Sequence, residues 1–399
     1  MNIFTPGQIQ TLKFKNRIIR SATQEGMADS SGRPLAELGK YYLRLAEGGV
    51  GGIITGFTGT QKNGKAVPLM RMLDKDEFID DYREITSSMK RTGTPLIMQL
   101  AHGGGLSSRK IMGEKEAAPS SVRYKTTPGA PRELSADEIT GVISNFIKAI
   151  ERSRNAGFDG VQIHAAHGYL LAEFLSPYTN RRTDAWGGSR EKRARIVTDI
   201  IKGARERVGA YPILAKINGY ELRKGGLSVD DAVENARLLQ EAGCDAIEVS
   251  CGGVDDGMST VRVERFPREA AFAFIDMLQG LPWYKKSLLS LMLPVIYKAH
   301  RPLLNYNVEA AKKIKAGVDI PVIVVGGIRA MRDMEGILSS KSADFIAMAR
   351  PFIFEPDIVK KFMEGTSDTS RCVNCGFCLM RAQSGRIRCY MGNRGAVAT

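Results

Sequence analysis

Only four histidines occur in the 399 residues, and no stretch is apolar for long enough to cross a bilayer. The longest apolar run, 288–296, is broken by Ser290 and Pro294, whereas a spanning helix needs roughly 20 such residues. The first twenty residues lack the apolar core of a secretory signal, so a cytoplasmic protein is expected. A secreted disulfide framework is excluded by the uneven placement of six cysteines, four of which crowd into the last thirty residues. The other two, Cys244 and Cys251, sit in apolar strand surroundings and are expected to be structural. Acidic residues are the scarcer charge, 43 against 57 basic ones, which leaves a formal +14. The basic residues form no dense patch and no nucleic-acid signature, so no nucleic-acid partner is expected. The plain reading is a solvated basic surface; the functional alternative is steering of an acidic substrate or an acidic electron-transfer protein.

What is present is a repeating unit. Short, nearly continuous apolar runs at 17–22, 52–57, 95–100, 160–164, 213–217, 246–250, 322–325 and 344–348 suit strands buried on both faces. Amphipathic helices separate them. Ser135 and Glu138 form a capping box ahead of an apolar face made by Ile139, Val142, Ile143, Phe146, Ile147 and Ile150. Ser228 and Asp231 open another helix, and Gly157 and Gly243 close the two. Eight such units without a linker predict an α/β fold, a (β/α)8 TIM barrel spanning 1–365. A doubly wound sheet is the alternative, but it would carry a glycine-rich turn after the first strand, and residues 20–26 show none. An insertion at about 274–305 is expected to be an extra helical pair, with a lid or a docking surface as the functional alternatives.

Barrel enzymes gather their chemistry where strands end. Three of the four histidines, His102, His164 and His167, fall at such ends. His164 and His167, with Tyr169 two residues on, can hold one oxygen and protonate a neighbouring carbon. A metal site is the competing reading of paired histidines, and Tyr169 is otherwise a packing aromatic. Cys372, Cys375, Cys378 and Cys389 follow the spacing C-x2-C-x2-C-x10-C, which suits a [4Fe–4S] cluster, with tetrahedral zinc as the rival.

The stretch 163–189, which begins IHAAHGYLLAEFLSPYTNRR, resembles the signature of the old yellow enzyme family. The similarity continues in barrel order through LKFKNRIIRSA at 12–22, QLAHG at 99–103 and ADFIAMARPFIFEP at 343–356. It implies bound FMN. Ser21, Ala22, Thr23 and Gln99 would contact the isoalloxazine ring, and Lys216 would face flavin N1 and O2. Gly326, Gly327, Ala349 and Arg350 would hold the phosphate, although Gly326 and Gly327 alone would read as a tight turn. His164 and His167 would bind a carbonyl or carboxylate oxygen, and Tyr169 would donate the proton, in an ene-reductase reducing α,β-unsaturated carbonyls, carboxylates or thioesters.

Glu173 and Arg182 would hold the loop. Gln24, Phe57 and Lys216 depart from the residues common in the family at those places, which leaves redox tuning and substrate open. The tail at 366–399 resembles that of the iron–sulfur branch, exemplified by 2,4-dienoyl-CoA reductase, with slightly shorter spacing. Those relatives continue into further nucleotide-binding domains, so electrons are expected from outside this chain, from ferredoxin or a reductase partner, or directly from NAD(P)H. A small-molecule substrate and a homo-oligomer are expected. An oxidative flavin dehydrogenase and a non-catalytic electron-transfer subunit are the alternatives.

Overall fold

The computed structural model describes residues 2–125, 127, 129–296, 299–382 and 385–390. Eight parallel strands close on themselves: β1 (Ile18–Arg20), β2 (Gly52–Ile54), β3 (Leu96–Ala101), β4 (Gly160–Ala165), β5 (Ile213–Asn218), β6 (Ala246–Ser250), β7 (Val322–Val325) and β8 (Phe345–Met348). Closure is made where β8 pairs with β1, Ile346 opposite Ile18 and Met348 opposite Arg20. Every predicted run overlaps its strand, the ends agreeing to within three residues. The architecture is a (β/α)8 TIM barrel.

The helices around it are α1 (Ala36–Glu47), α2 (Ile79–Lys90), α3 (Ala136–Asn155), α4 (Arg190–Val208), α5 (Val229–Glu241), α6 (Val308–Gly317), α7 (Met331–Ser339) and α8 (Ile358–Met363). Ser135 and Glu138 make the reciprocal capping box that starts α3, and Ser228 and Asp231 make the one that starts α5. Gly157 and Gly243 follow those helices in left-handed conformations, φ +87° and +101°, which cost glycine nothing.

Side chains alternate along each strand, so every second residue faces the barrel interior. The lower interior is apolar: Ile19, Ile54, Ile97, Leu214, Ala246, Ile323 and Phe345 pack in one cluster. An N-terminal hairpin, Gly7–Ile9 and Leu12–Phe14, supplies the floor with Ile9, Leu12 and Phe14. The Phe14 and Phe345 rings meet edge to face at 5.0 Å. Gly52 makes room for this, since a Cβ there would lie 2.5 Å from the Phe14 ring. One step further up, the same faces turn polar, at Gln99, Gln162, Lys216 and Glu248. That change of layer puts the chemistry at the C-terminal mouth.

The insertion between β6 and α6 is helical, and it reaches the cysteine-rich tail. Helix Arg268–Phe274 packs on tail helix Phe377–Arg381, with Ala270, Ala271 and Met380 buried between them. Helix Trp283–Ile296 leaves Trp283, Tyr284, Leu288 and Leu291 exposed. Among the described residues no helix is long and apolar enough to cross a membrane.

Candidate active site at the barrel mouth

A cavity of about 470 Å³ opens at the C-terminal ends of the strands. Ser21, Ala22 and Thr23 line it from the end of β1, Gln99 from β3 and Lys216 from β5. His164, His167 and Tyr169 come from the end of β4 and the loop after it. Gly326 and Gly327 after β7, with Ala349 and Arg350 after β8, form the opposite wall. The twelve nominated barrel residues thus border one space.

The β4 loop is held under constraint. His167 has φ +63°, unusual for a residue with a Cβ, and its backbone N–H donates to Asn218 Oδ1 at 3.1 Å. Gly168 follows at φ +74°, where a Cβ would strike the Val254 backbone at 2.6 Å. The His164 ring stands edge-on to both neighbours, 5.1 Å from His167 and 5.0 Å from Tyr169. Phe57 packs against Tyr169 at 5.5 Å and so fixes the phenol from its other side. His167 Nε2 lies 2.6 Å from Ser250 Oγ. His164 Nδ1 is buried without a protein partner among the described residues.

Burial sets the protonation states. It drives His164 well below the usual histidine range, helped by the charges of His167 and Lys216. Burial and then Lys216 bring His167 to about 3. Burial pushes the Tyr169 phenol up to about 12. At neutral pH the site therefore holds two uncharged imidazoles and a protonated phenol. Burial also lowers Lys216, against an opposing attraction from Glu248.

These shifts predict an acid weakness. His102 and His167 both fall from 6.5 to about 3 in the fold. Between those values the unfolded chain binds more protons than the folded one, so stability is lost as pH falls through that window. Melting temperature against pH should slope downward from about pH 6 towards pH 4. Glu173 and Glu221, which burial raises to about 8 and about 7, oppose part of this loss, so His102→Gln should flatten the slope; a slope unchanged by that substitution would contradict the buried, neutral imidazole.

The three strand-end histidines do not act together. His102 Nδ1 accepts from the Gly104 N–H at 3.0 Å, and the residue borders a separate polar pocket with Gln61, Asn145 and Glu138. Glu173 and Arg182 brace loops: Glu173 accepts from the Gly105 N–H and from Tyr124 Oη at 2.8 Å. Arg182 pairs with Asp184 at 2.6 Å and with Glu133 at 3.2 Å.

The residues present fit FMN. Gly326 and Gly327 have φ +152° and +72°, and a Cβ on either would collide with Asn307 or with Leu303 O. Both glycines also line the cavity, where backbone without a Cβ lets a phosphate approach closely. Arg350 closes it, with Nη2 on Val261 O at 2.6 Å and Nη1 buried with no protein partner among the described residues.

The tail forms one side of the same cavity through Asn374, Leu379, Met380 and Ala382. It is anchored where Arg329 donates to Cys372 O and where the Ile387 N–H donates to Glu25 O at 2.8 Å. Glu25 is itself pinned by Arg20 and Arg71 at 2.9 and 3.2 Å. Among the described residues, Cys372, Cys375, Cys378 and Cys389 are joined by no disulfide. Burial pushes Cys378 up to about 12, and the other three cysteines lie close enough to push it the same way. The donor set has the chemistry of a cluster loop, although no three ligands stand at metal-holding distance among the described residues.

Among the residues of the site that escaped the sequence reading are four polar ones on or beside the inner strands: Gln162, Asn218, Glu248 and Ser250. Glu248 carried a signal, a lone carboxylate in the apolar strand AIEVS beside the lone lysine of ILAKIN. The other three gave none.

The chain matches the model of the NADH:flavin oxidoreductase / NADH oxidase family over residues 2–271 and 255–369. It is 32% identical over 395 residues to an NADH oxidase of Thermoanaerobacter brockii, covering 97% of this chain and 55% of that protein. It is 30% identical over 401 residues to a cinnamate reductase of Clostridium sporogenes, covering 94% and 54%. A 2-naphthoyl-CoA reductase superposes with a TM-score of 0.81 at 24% identity, over 96% of this chain and 56% of the other. The chain spans about half the length of these relatives. With the barrel and the family model in agreement, the chain belongs to the NADH:flavin oxidoreductase / NADH oxidase family, the old yellow enzyme family of FMN-dependent oxidoreductases.

Proposed function

We propose that the protein reduces the activated carbon–carbon double bond of an α,β-unsaturated carbonyl, carboxylate or thioester. The observation that carries this is a protonated phenol set edge-on against one of two neutral imidazoles at the barrel mouth. FMN would be held by Ser21, Ala22, Thr23 and Gln99 along its ring, by Lys216 at N1 and O2, and by Gly326, Gly327, Ala349 and Arg350 at its phosphate. When bound there it supplies the hydride delivered to the β-carbon. His164 and His167 bind the substrate oxygen, withdrawing electron density from the alkene and stabilising the negative charge that develops. Neutral imidazole does this without disturbing the Lys216 charge. Tyr169 gives its proton to the α-carbon, and its raised pKa keeps the phenol protonated across the working pH range. The similarity to a protein named cinnamate reductase supports a conjugated carboxylate as one substrate type.

Residues 1–365 make the flavin barrel in this reading, and 366–399 a metal tail packed on it, of which 383–384 and 391–399 lie outside the described residues. Cys372, Cys375, Cys378 and Cys389 hold a [4Fe–4S] cluster, as in the iron–sulfur branch of the family. Four crowded thiols are costly to ionise together, and a bound cation reverses that cost. Electrons arrive either from NAD(P)H or through the cluster from ferredoxin or a partner reductase, and the protein works as a soluble cytoplasmic homo-oligomer.

The test is anaerobic reduction of the flavoprotein followed by mixing with cinnamate, other enoates and cyclic enones. Substrate-dependent reoxidation with formation of the saturated product is expected. Reoxidation by none of them, with reduction by amines instead, would replace this reading with an oxidative dehydrogenase. Reoxidation only by a protein acceptor would make it an electron carrier. His167 near 3 and Tyr169 near 12 also predict a reoxidation rate that is level from about pH 5 to about pH 9. A histidine-like inflection near neutrality would show that an imidazolium is used.

A further inference from the structure

We infer that Glu248 is a positioning residue that fixes the donor and acceptor polarity of the ring-facing side chains Ser21, Gln99 and Lys216. This rests on the reading that those three face FMN. Glu248 is wholly buried in β6, opposite Lys216 of β5 in the strand register. It does not line the cavity itself, whereas Ser21, Gln99 and Lys216 do.

Three donors converge on its carboxylate. Oε1 accepts from Ser21 Oγ at 2.6 Å and from Lys216 Nζ at 3.2 Å, and Oε2 accepts from Gln162 Nε2 at 2.6 Å. An ionised carboxylate only accepts, so the Gln162 amide has no choice of orientation. Its NH2 faces Glu248, and its Oε1 is left to accept from Gln99 Nε2 at 2.7 Å. Gln99 is thereby oriented in turn, with its amide nitrogen towards Gln162 and its carbonyl oxygen free for another donor. A flavin pyrimidine edge carries one N–H between two carbonyl acceptors, so the direction of this amide decides whether contacts with it are attractive.

The cationic side is set in the same way. Lys216 Nζ donates to Ser21 Oγ at 2.9 Å and pairs with Glu248, which leaves one of its three protons for the cavity. Ser21 gives its hydroxyl proton to Glu248 and offers only lone pairs elsewhere. A side-chain amide at the end of a chain of amides turns over at little cost, and a buried carboxylate removes that freedom. The carboxylate also compensates part of the lysine charge, so the ring faces a moderated cation where negative charge collects on reduction.

Two variants of the full chain separate these effects, each compared with wild type for flavin midpoint potential, FMN dissociation constant and melting temperature. Glu248→Gln keeps the shape but frees the lysine charge, and it should move the midpoint potential to more positive values. Gln162→Met cuts the amide chain while leaving the Lys216–Glu248 pair, and it should weaken FMN binding about tenfold, the effect of losing roughly one well-placed hydrogen bond, with the potential little changed. A potential that stays or falls in Glu248→Gln, or FMN binding unchanged in Gln162→Met, overturns the inference. If Glu248→Gln does not fold, Gln162→Met alone decides. Wild-type protein that takes up no FMN would instead defeat the flavin reading, and this inference with it.

Discussion

Tyr169→Phe is expected to slow reoxidation of the reduced protein by an enoate by about 10²–10⁴-fold, the range attributable to a positioned general acid. FMN affinity should stay within about twofold, since one oxygen is removed and no flavin-facing group is touched. The ring should remain in place, because it is held by packing rather than by its hydroxyl. Phe57 lies 5.5 Å from it on one side and His164 5.0 Å on another, and Val67, Met70 and Ala101 complete the apolar wall. Stopped-flow reoxidation with product analysis reads the rate, and fluorescence titration reads the affinity. A variant that loses both together would make Tyr169 a structural residue. One that loses neither would assign the proton to solvent.

The second large effect concerns the tail. Cys378→Ser should reduce bound iron and acid-labile sulfide from a full cluster to near zero, because it removes the most deeply buried of the four tail thiols. The comparison is Cys244→Ser. Cys244 is equally buried but donates to Ile213 O and Ala246 O in the barrel wall, and its loss should leave metal content unchanged. Visible spectra of anaerobically purified protein, with iron, zinc and sulfide counted, check the outcome. Zinc in place of iron would leave the ligand set intact and remove the electron-transfer role. Equal metal loss in both variants would show that the tail is merely destabilised.

The barrel was legible because its signals are local. Strands buried on both faces read as short apolar runs, and α3 and α5 announce their own starts through Ser135–Glu138 and Ser228–Asp231. The mouth residues were legible because the 163–189 stretch carries a recognisable motif on one loop. What stayed hidden depends on distant partners. Glu248 gains its meaning from Ser21, 227 residues away, and from Gln162, 86 away, and a single sequence shows no such pairing. His102 also ends a strand but borders a separate pocket, because ending a strand does not say into which cavity a ring turns. The insertion expected at about 274–305 holds two helices, Asp276–Gln279 and Trp283–Ile296, and the helix just before it, Arg268–Phe274, packs on the tail. Its alanines match Met380 in shape, a complementarity visible only once both segments are placed.

The hairpin floor has a kinetic corollary. Ile9, Leu12 and Phe14 are almost fully buried beneath the inner layer, so traffic to the chamber must pass the rim. A nicotinamide delivering hydride and an alkene accepting it would have to occupy the same volume in turn, giving parallel double-reciprocal plots and inhibition by excess of either. Current arriving through the side formed by Asn374 and Leu379 needs no vacancy, and a carrier feeding the chamber that way would leave the alkene undisturbed. The pattern of mutual inhibition in steady state therefore identifies which of the two routes charges the flavin.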